Sequence, residues 1–291
     1  MAGNHMSVQA PAIDAPVPQL MFRRRVRPLA MVRELWGSRD LIAVLTERDL
    51  RVRYKQTKMG FAWAFATPVL MMIVFTVFFG KAVDIDTHGA PTALFFYVGL
   101  LPWTFFASSV STGSVSIITN LSLINKVYCP REVFPLAAIA TAAVDTLIAT
   151  SILALLFIGY GEMPAATTVW VPLLLLVQVA FTVGITLILS AMVVYLRDLR
   201  NILPMVVQFA MFATPVAYSF DDNEKFSATF RTVASIVNPL VPVIDGYRRT
   251  VLDGEPPRLG LLAISAGVTV VSLIGGYLLF KRLETGFADV A

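Results

Sequence analysis

The stretch "RDLRVRYKQTKMGFAWAFATPVLMMIVFTVFFGK", residues 48–81, carries five cations in its first eleven positions and then runs uncharged from 61 to 80. A bilayer core about 30 Å thick takes about 20 apolar residues as a helix, so the second half predicts a membrane-spanning helix that starts at a basic surface. Uncharged runs of similar length follow at 92–113, 134–158, 169–196, 202–220 and 259–280, the third of these six interrupted only by Asp145. Over the whole chain 57% of residues are hydrophobic and 14% charged, far from the balance of a water-soluble domain. The fold predicted is an all-α membrane protein with six transmembrane helices.

Orientation follows from the basic residues between these runs. Both ends and every second connection together hold seventeen Lys and Arg, the alternate connections six. Cytoplasmic segments keep the excess of positive charge, which puts both termini of a multi-pass membrane protein in the cytosol. The net charge of +4 thus reads as an orientation signal and not as a nucleic-acid footprint. Residues 1–28 divide into a tag scar, "MAGNH", and a Pro/Ala-rich lead-in read as disordered. Residues 29–59 form a cytosolic amphipathic interface region, and 60–291 one transmembrane domain.

In that interface region Arg48, Arg51, Lys55 and Lys58 recur at i, i+3, i+7 and i+10, one face of a helix. Such a stripe sets topology and anchors headgroups, or it holds an anionic substrate or partner directly. Between spans two and three the chain is polar enough to leave the lipid, and a helix restarts at Pro130 with Glu132 in the first turn, where the dipole favours an acid. On the outer side, residues 221–258 contain an uncharged run, 232–244, that is too short to span; with Pro239 and Pro242 inside it, a re-entrant hairpin is expected.

Asp145 is costly if it faces lipid. It is expected to point inward, bonded to Thr141, Gln178 or Gln208 or facing water, either as structural glue or in a functional role. Among the aromatics, Trp63, Tyr97, Trp103 and Phe106 are belt and core residues or, with Asp145, the lining of a path for sugar, whose C–H faces stack on rings. No GxxxxGK[ST] loop is present, so this chain does not hold ATP by a P-loop. The sequence has one cysteine, Cys129, and two histidines, with no HExxH pattern: no metal site is expected. Asp84 and Asp86 form a DxD after the first span, the one feature favouring a polyprenyl-phosphate-dependent glycosyltransferase; a two-residue match is weak support.

Several ordered blocks bear a resemblance. "LTERDLRVRYKQTKMGFAWAFATPVLMMIVFTVFFGK", "KVYCPREVFPL", "YLRDLRNILP" and "NPLVPVIDGYRRTVLDG" resemble, in that order, four segments of the ABC-2 type permeases that export polysaccharides. The resemblance implies a transport subunit and not an enzyme: two copies of the permease, two separate nucleotide-binding subunits that hold ATP and Mg, and export of O-antigen, teichoic acid or a related glycan on a lipid pyrophosphate. It further implies that Arg48, Arg51, Lys55 and Lys58 meet that pyrophosphate. The region 114–127 would be a coupling helix seated on the ATPase, with Asn120, Asn125, Lys126, Arg131 and Glu132 as its contacts. Residues 221–258 would be paired outer gate helices between spans five and six, and spans one, two and five would line the passage. Arginine outnumbers lysine 17 to 6, typical of GC-rich genomes, which points among these exporters to the cell-wall galactan kind of actinobacteria. An ABC-2 exporter of drugs or small lipids is the alternative within transport.

Overall fold

The computed structural model describes residues 37–55, 62–82, 87, 89–124, 126, 129–220 and 227–287, with positions 63, 64, 79, 81 and 82 in backbone alone. Every regular element among them is helical. In chain order these are α1 (Arg39–Lys55), α2 (Ala62–Ala82), α3 (Thr92–Thr119), α4 (Leu121–Ile124), α5 (Val133–Tyr160), a 3-10 turn (Ala166–Trp170), α6 (Val171–Tyr195), α7 (Leu199–Ala213), α8 (Ala228–Val237), α9 (Leu240–Arg248), a π turn (Arg249–Asp253) and α10 (Leu259–Glu284). Among the described residues four stretches are long and apolar enough to cross a membrane: Thr92–Thr119, Val133–Tyr160, Ala166–Tyr195 and Leu259–Glu284. Predicted span one lies in α2.

Helix α3 is the centre of the bundle. Leu94, Phe96, Tyr97, Leu100, Trp103 and Ile117 are all buried along it, and α2, α5, α6, α7 and α9 pack around it. Helices α6 and α10 pack closely because small residues let the backbones meet: a Cβ on Gly276 would fall on the carbonyl of Gly184. Apolar side chains that remain exposed, such as Leu147 and Leu155 on α5 and Val271 and Ile274 on α10, are what a lipid-facing surface requires.

The run 202–220, predicted as a fifth span, is only partly helical. Helix α7 has 15 residues, about 22 Å at 1.5 Å per residue, and stops at Ala213. Thr214 is extended (φ −101°, ψ 143°), as the residue before a proline prefers, and Pro215 follows. Buried, non-helical backbone needs hydrogen-bond partners, and Arg248 supplies them. Its guanidinium donates to the carbonyls of Pro215, Val216 and Tyr218 and to that of Phe95 on α3, at 2.5–3.2 Å. It also lies over the Phe95 ring, 3.9 Å from the centroid. Gly99 makes room for it, since a Cβ there would collide with the guanidinium. Every residue of α9 is buried.

Arg248→Met should leave these carbonyls unpaired and lower the apparent Tm of the purified protein by about 10 °C, with Gly99→Ala acting in the same direction. A Met variant as heat-stable as the parent in fluorescence-detected unfolding would show that the bonds do not hold the segment after α7 in place.

Candidate functional site

The part of the bundle formed by α1, α4 and the first half of α5 gathers most of the described site residues. Helix α1 sets Asp40 in its first turn and Arg53 and Lys55 in its last, as the helix dipole favours. Its apolar face, Leu41, Ile42 and Leu45, packs on Val133, Phe134 and Ala137 at the start of α5 and on Leu123 and Ile124 of α4. Thr46 lies against the Ala137 carbonyl, and Arg53 and Tyr54 reach Asp145. From Thr46 to Tyr54 and from Ala137 to Asp145 both helices advance about 12 Å, so α1 runs beside α5 in the same direction over this stretch.

This corrects the partners expected for Asp145. The guanidinium of Arg53 and the phenol of Tyr54 both donate to its carboxylate. Burial first, and the bond to Asp145 second, push the Tyr54 phenol well above its usual range, so it stays a donor. Of the expected partners, Thr141 donates to the Ala137 carbonyl and Gln208 is exposed. Gln178 bridges the Pro102 carbonyl and the Tyr247 hydroxyl. Arg53 lies about 140° round the helix from Arg48, off the basic stripe. That offset, on a helix whose other face is cationic, was the available sign that it serves the bundle.

Arg48, Arg51 and Lys55 lie on the exposed face of α1; Lys58 lies outside the described residues. Arg48 donates to Asp49 at 2.8 and 2.9 Å and Arg51 pairs with Glu47, exposed contacts that water screens. The side chain of Trp63, together with Asp84 and Asp86, also lies outside what is described. Tyr97, Trp103 and Phe106 are packed between helices: Tyr97 donates to the Ala149 carbonyl at 2.8 Å, and Phe106 stacks on Phe181 and neighbours Trp103. Asp145 is the member of that predicted set that adjoins open space.

The segment 114–127 is not one separate helix. Residues through Thr119 continue α3, Asn120 caps it by donating to the Ser116 carbonyl at 2.8 Å, and α4 is a single turn. Asn125 lies outside the described residues, and Lys126 is exposed. Arg131 and Glu132 face inward. Glu132 is 2% exposed and pairs with Lys281 at 2.7 Å; Lys281 also pairs with Glu284 at 2.9 Å. Arg131 donates to the Glu284 carbonyl and lies over the Phe287 ring. The Glu132 side chain makes no capping bond to α5, so its principal role is this clamp on the end of α10 rather than the helix start. Burial pushes the Cys129 thiol up, away from the thiolate. Among the described residues no cluster of His, Cys, Asp and Glu could hold a metal ion.

Comparison with known proteins agrees with this arrangement. Residues 40–252 match the family model described as ABC-2 type transporter. The chain is 31% identical over 261 residues to the O-antigen export system permease protein RfbA of Myxococcus xanthus, covering 90% of this chain and 99% of that one. A protein of the same name from Klebsiella pneumoniae is 29% identical over 253 residues, 86% of this chain and 95% of that one. The polysialic acid transport protein KpsM of Escherichia coli is 26% identical over 249 residues, 84% and 93% of the two chains.

Removing Lys281 strands a buried carboxylate. Lys281→Met should cost roughly 3 kcal/mol, and the exchange Glu132→Lys with Lys281→Glu should recover a large part of it. Additive losses in a double-mutant cycle of thermal unfolding would dismiss the pair as a clamp.

Proposed function

The chain belongs to the ABC-2 type transporter family, and from that membership we propose that it is the transmembrane subunit of an ATP-driven exporter of a lipid-linked polysaccharide. The observation that carries this reading is the end-to-end similarity to permeases named for O-antigen and polysialic acid transport. The sequence contains no P-loop, so the energy comes from a separate nucleotide-binding subunit, which holds ATP and Mg.

In this reading two copies of the chain assemble with two ATPase subunits in the cytoplasmic membrane, both termini cytosolic. Helices α2 and α7 act as the first and fifth of six spans, α7 continued to its full depth by the non-helical 214–220 segment. Helices α8 and α9 serve as the outer gate, which Arg248 and α9's packing on α3, α6 and α10 support. The ATPase seats on α4 and the turn near Lys126. Its movement reaches α10 through Arg131 and Glu132 and α1 through Leu123 and Ile124.

Arg48, Arg51 and Lys55 hold the substrate's pyrophosphate at the membrane surface. Guanidinium groups match its oxygens in fork geometry, and the exposed bonds to Glu47 and Asp49 exchange readily for a doubly charged anion. The alternative of glycan synthesis by Asp84 and Asp86 has no further support.

Inverted membrane vesicles containing the chain and its ATPase should take up radiolabelled lipid-linked glycan when given ATP. Changing Arg48, Arg51 and Lys55 together to Gln should reduce that uptake about tenfold or more while membrane insertion and copurification of the ATPase persist. Undiminished uptake would remove the stripe from substrate binding; failure of the unsubstituted pair to transport any polysaccharide would remove the function.

A further inference from the structure

A cavity of about 310 Å³ lies between the end of α1 and the middles of α2, α3 and α5. Arg53, Tyr54 and Asp145 form one wall, and Thr104, Ser108 and Thr146 add hydroxyls. Thr104 on α3 and Asp145 on α5 are each about 18 Å from the first residue of their 28-residue helices, which traverse the bundle in opposite directions. The cavity is therefore near the middle of these two helices, walled by the side of α1 that carries Arg53 and Tyr54 and not by its basic stripe.

Its size limits what enters. Small-molecule sites run from about 300 to 1,000 Å³, so this one admits a single ring-sized group and not a length of polymer. Its charge limits the ligand further. The guanidinium of Arg53 and the carboxylate of Asp145 already balance. A phosphate or pyrophosphate entering here would add uncompensated negative charge beside the Asp145 carboxylate. A neutral ligand avoids that cost.

The donor and acceptor pattern then selects a polyol. Arg53 offers several N–H groups beyond the one bonded to Asp145, and both carboxylate oxygens retain lone pairs beside those accepting from Arg53 and Tyr54. Thr104 and Thr146 donate to the carbonyls of Leu101 and Ala142, at 2.9 and 2.8 Å, and so retain acceptor capacity. A ring hydroxyl both gives and takes a hydrogen bond, which an interleaved set of this kind satisfies. Pro68, Ala142 and Ala149 supply a small apolar surface for the ring's C–H face.

We propose that this cavity is a binding site for one uncharged sugar ring of the transported glycan, with Arg53 and Asp145 bonding its hydroxyls. The proposal rests on the polysaccharide-export reading and deepens it: the anionic carrier is met on the exposed stripe of α1, and a sugar residue is held in the cavity on another side of that helix.

The test uses the chain with its ATPase in vesicles that transport lipid-linked glycan labelled in its sugars, with a diazirine amino acid at Ser108. Illumination during ATP turnover should attach label that stays on the chain after mild acid splits the sugar–phosphate bond. Arg53→Gln with Asp145→Asn should reduce that attachment about tenfold or more. In the otherwise unaltered chain, a neutral methyl glycoside of a sugar in the glycan should protect against labelling, and inorganic pyrophosphate at equal concentration should not. Label released by acid, protection by pyrophosphate alone, or no attachment during sustained transport would each overturn the sugar site while leaving the exporter reading intact. Absence of transport by the unsubstituted pair would remove the exporter reading itself and this site with it.

Discussion

Backbone carbonyls buried in a membrane protein must find donors, and that constraint organises the part of this one around Arg248. Helix α7 is too short to cross, and beyond it Pro215, Val216 and Tyr218 present carbonyls that no helix satisfies. One side chain, Arg248, collects them and joins them to Phe95 on α3. Gly99 admits the guanidinium, Phe95 offers its ring, and α9 is buried on all sides so that Arg248 is held in place. The short helix α7, the non-helical segment after it and the buried helix α9 are thus one structure, fastened at one residue.

The opposite half of the bundle is fastened differently, by ion pairs between segments far apart in sequence. Arg53 meets Asp145 and Glu132 meets Lys281, both acids on α5, one at its start and one at its middle. Helix α5 therefore holds α1 on one side and the end of α10 on the other, with α4 wedged against both through Ile124. Any partner pressing on α4 acts directly on this junction. The partly exposed Arg53–Asp145 pair is also the more easily exchanged of the two, which suits a pair that bonds a passing ligand.

Long uncharged runs were legible in the sequence because the bilayer leaves no other use for them, and the helices at Thr92, Val133 and Leu259 start within a residue of the expected positions. Composition could not show where the fifth helix stops. Residues 214–220 are as free of charge as 202–213, and what ends the helix is a proline together with a donor 33 residues further on. Arg248 was read as an outer-loop charge, although an arginine following the apolar run 240–244 is itself a sign of an interior role. Asp145 was seen to need a partner, but its partners lie 91 and 92 residues upstream, a separation no helical periodicity reveals. Glu132 looked like a dipole acid because its true partner, Lys281, is 149 residues away. Pattern reports what one helix wants; which helices meet is decided by packing.

The central claim is that this polypeptide provides the passage while another protein provides the power stroke. Its most direct measurement is the nucleotide hydrolysis and glycan translocation of liposomes containing the purified chain alone, set beside liposomes that also contain the ATP-binding subunit. The account predicts neither activity from the chain alone and both from the pair. ATP hydrolysis, or formation of a sugar bond, by the chain alone would contradict it.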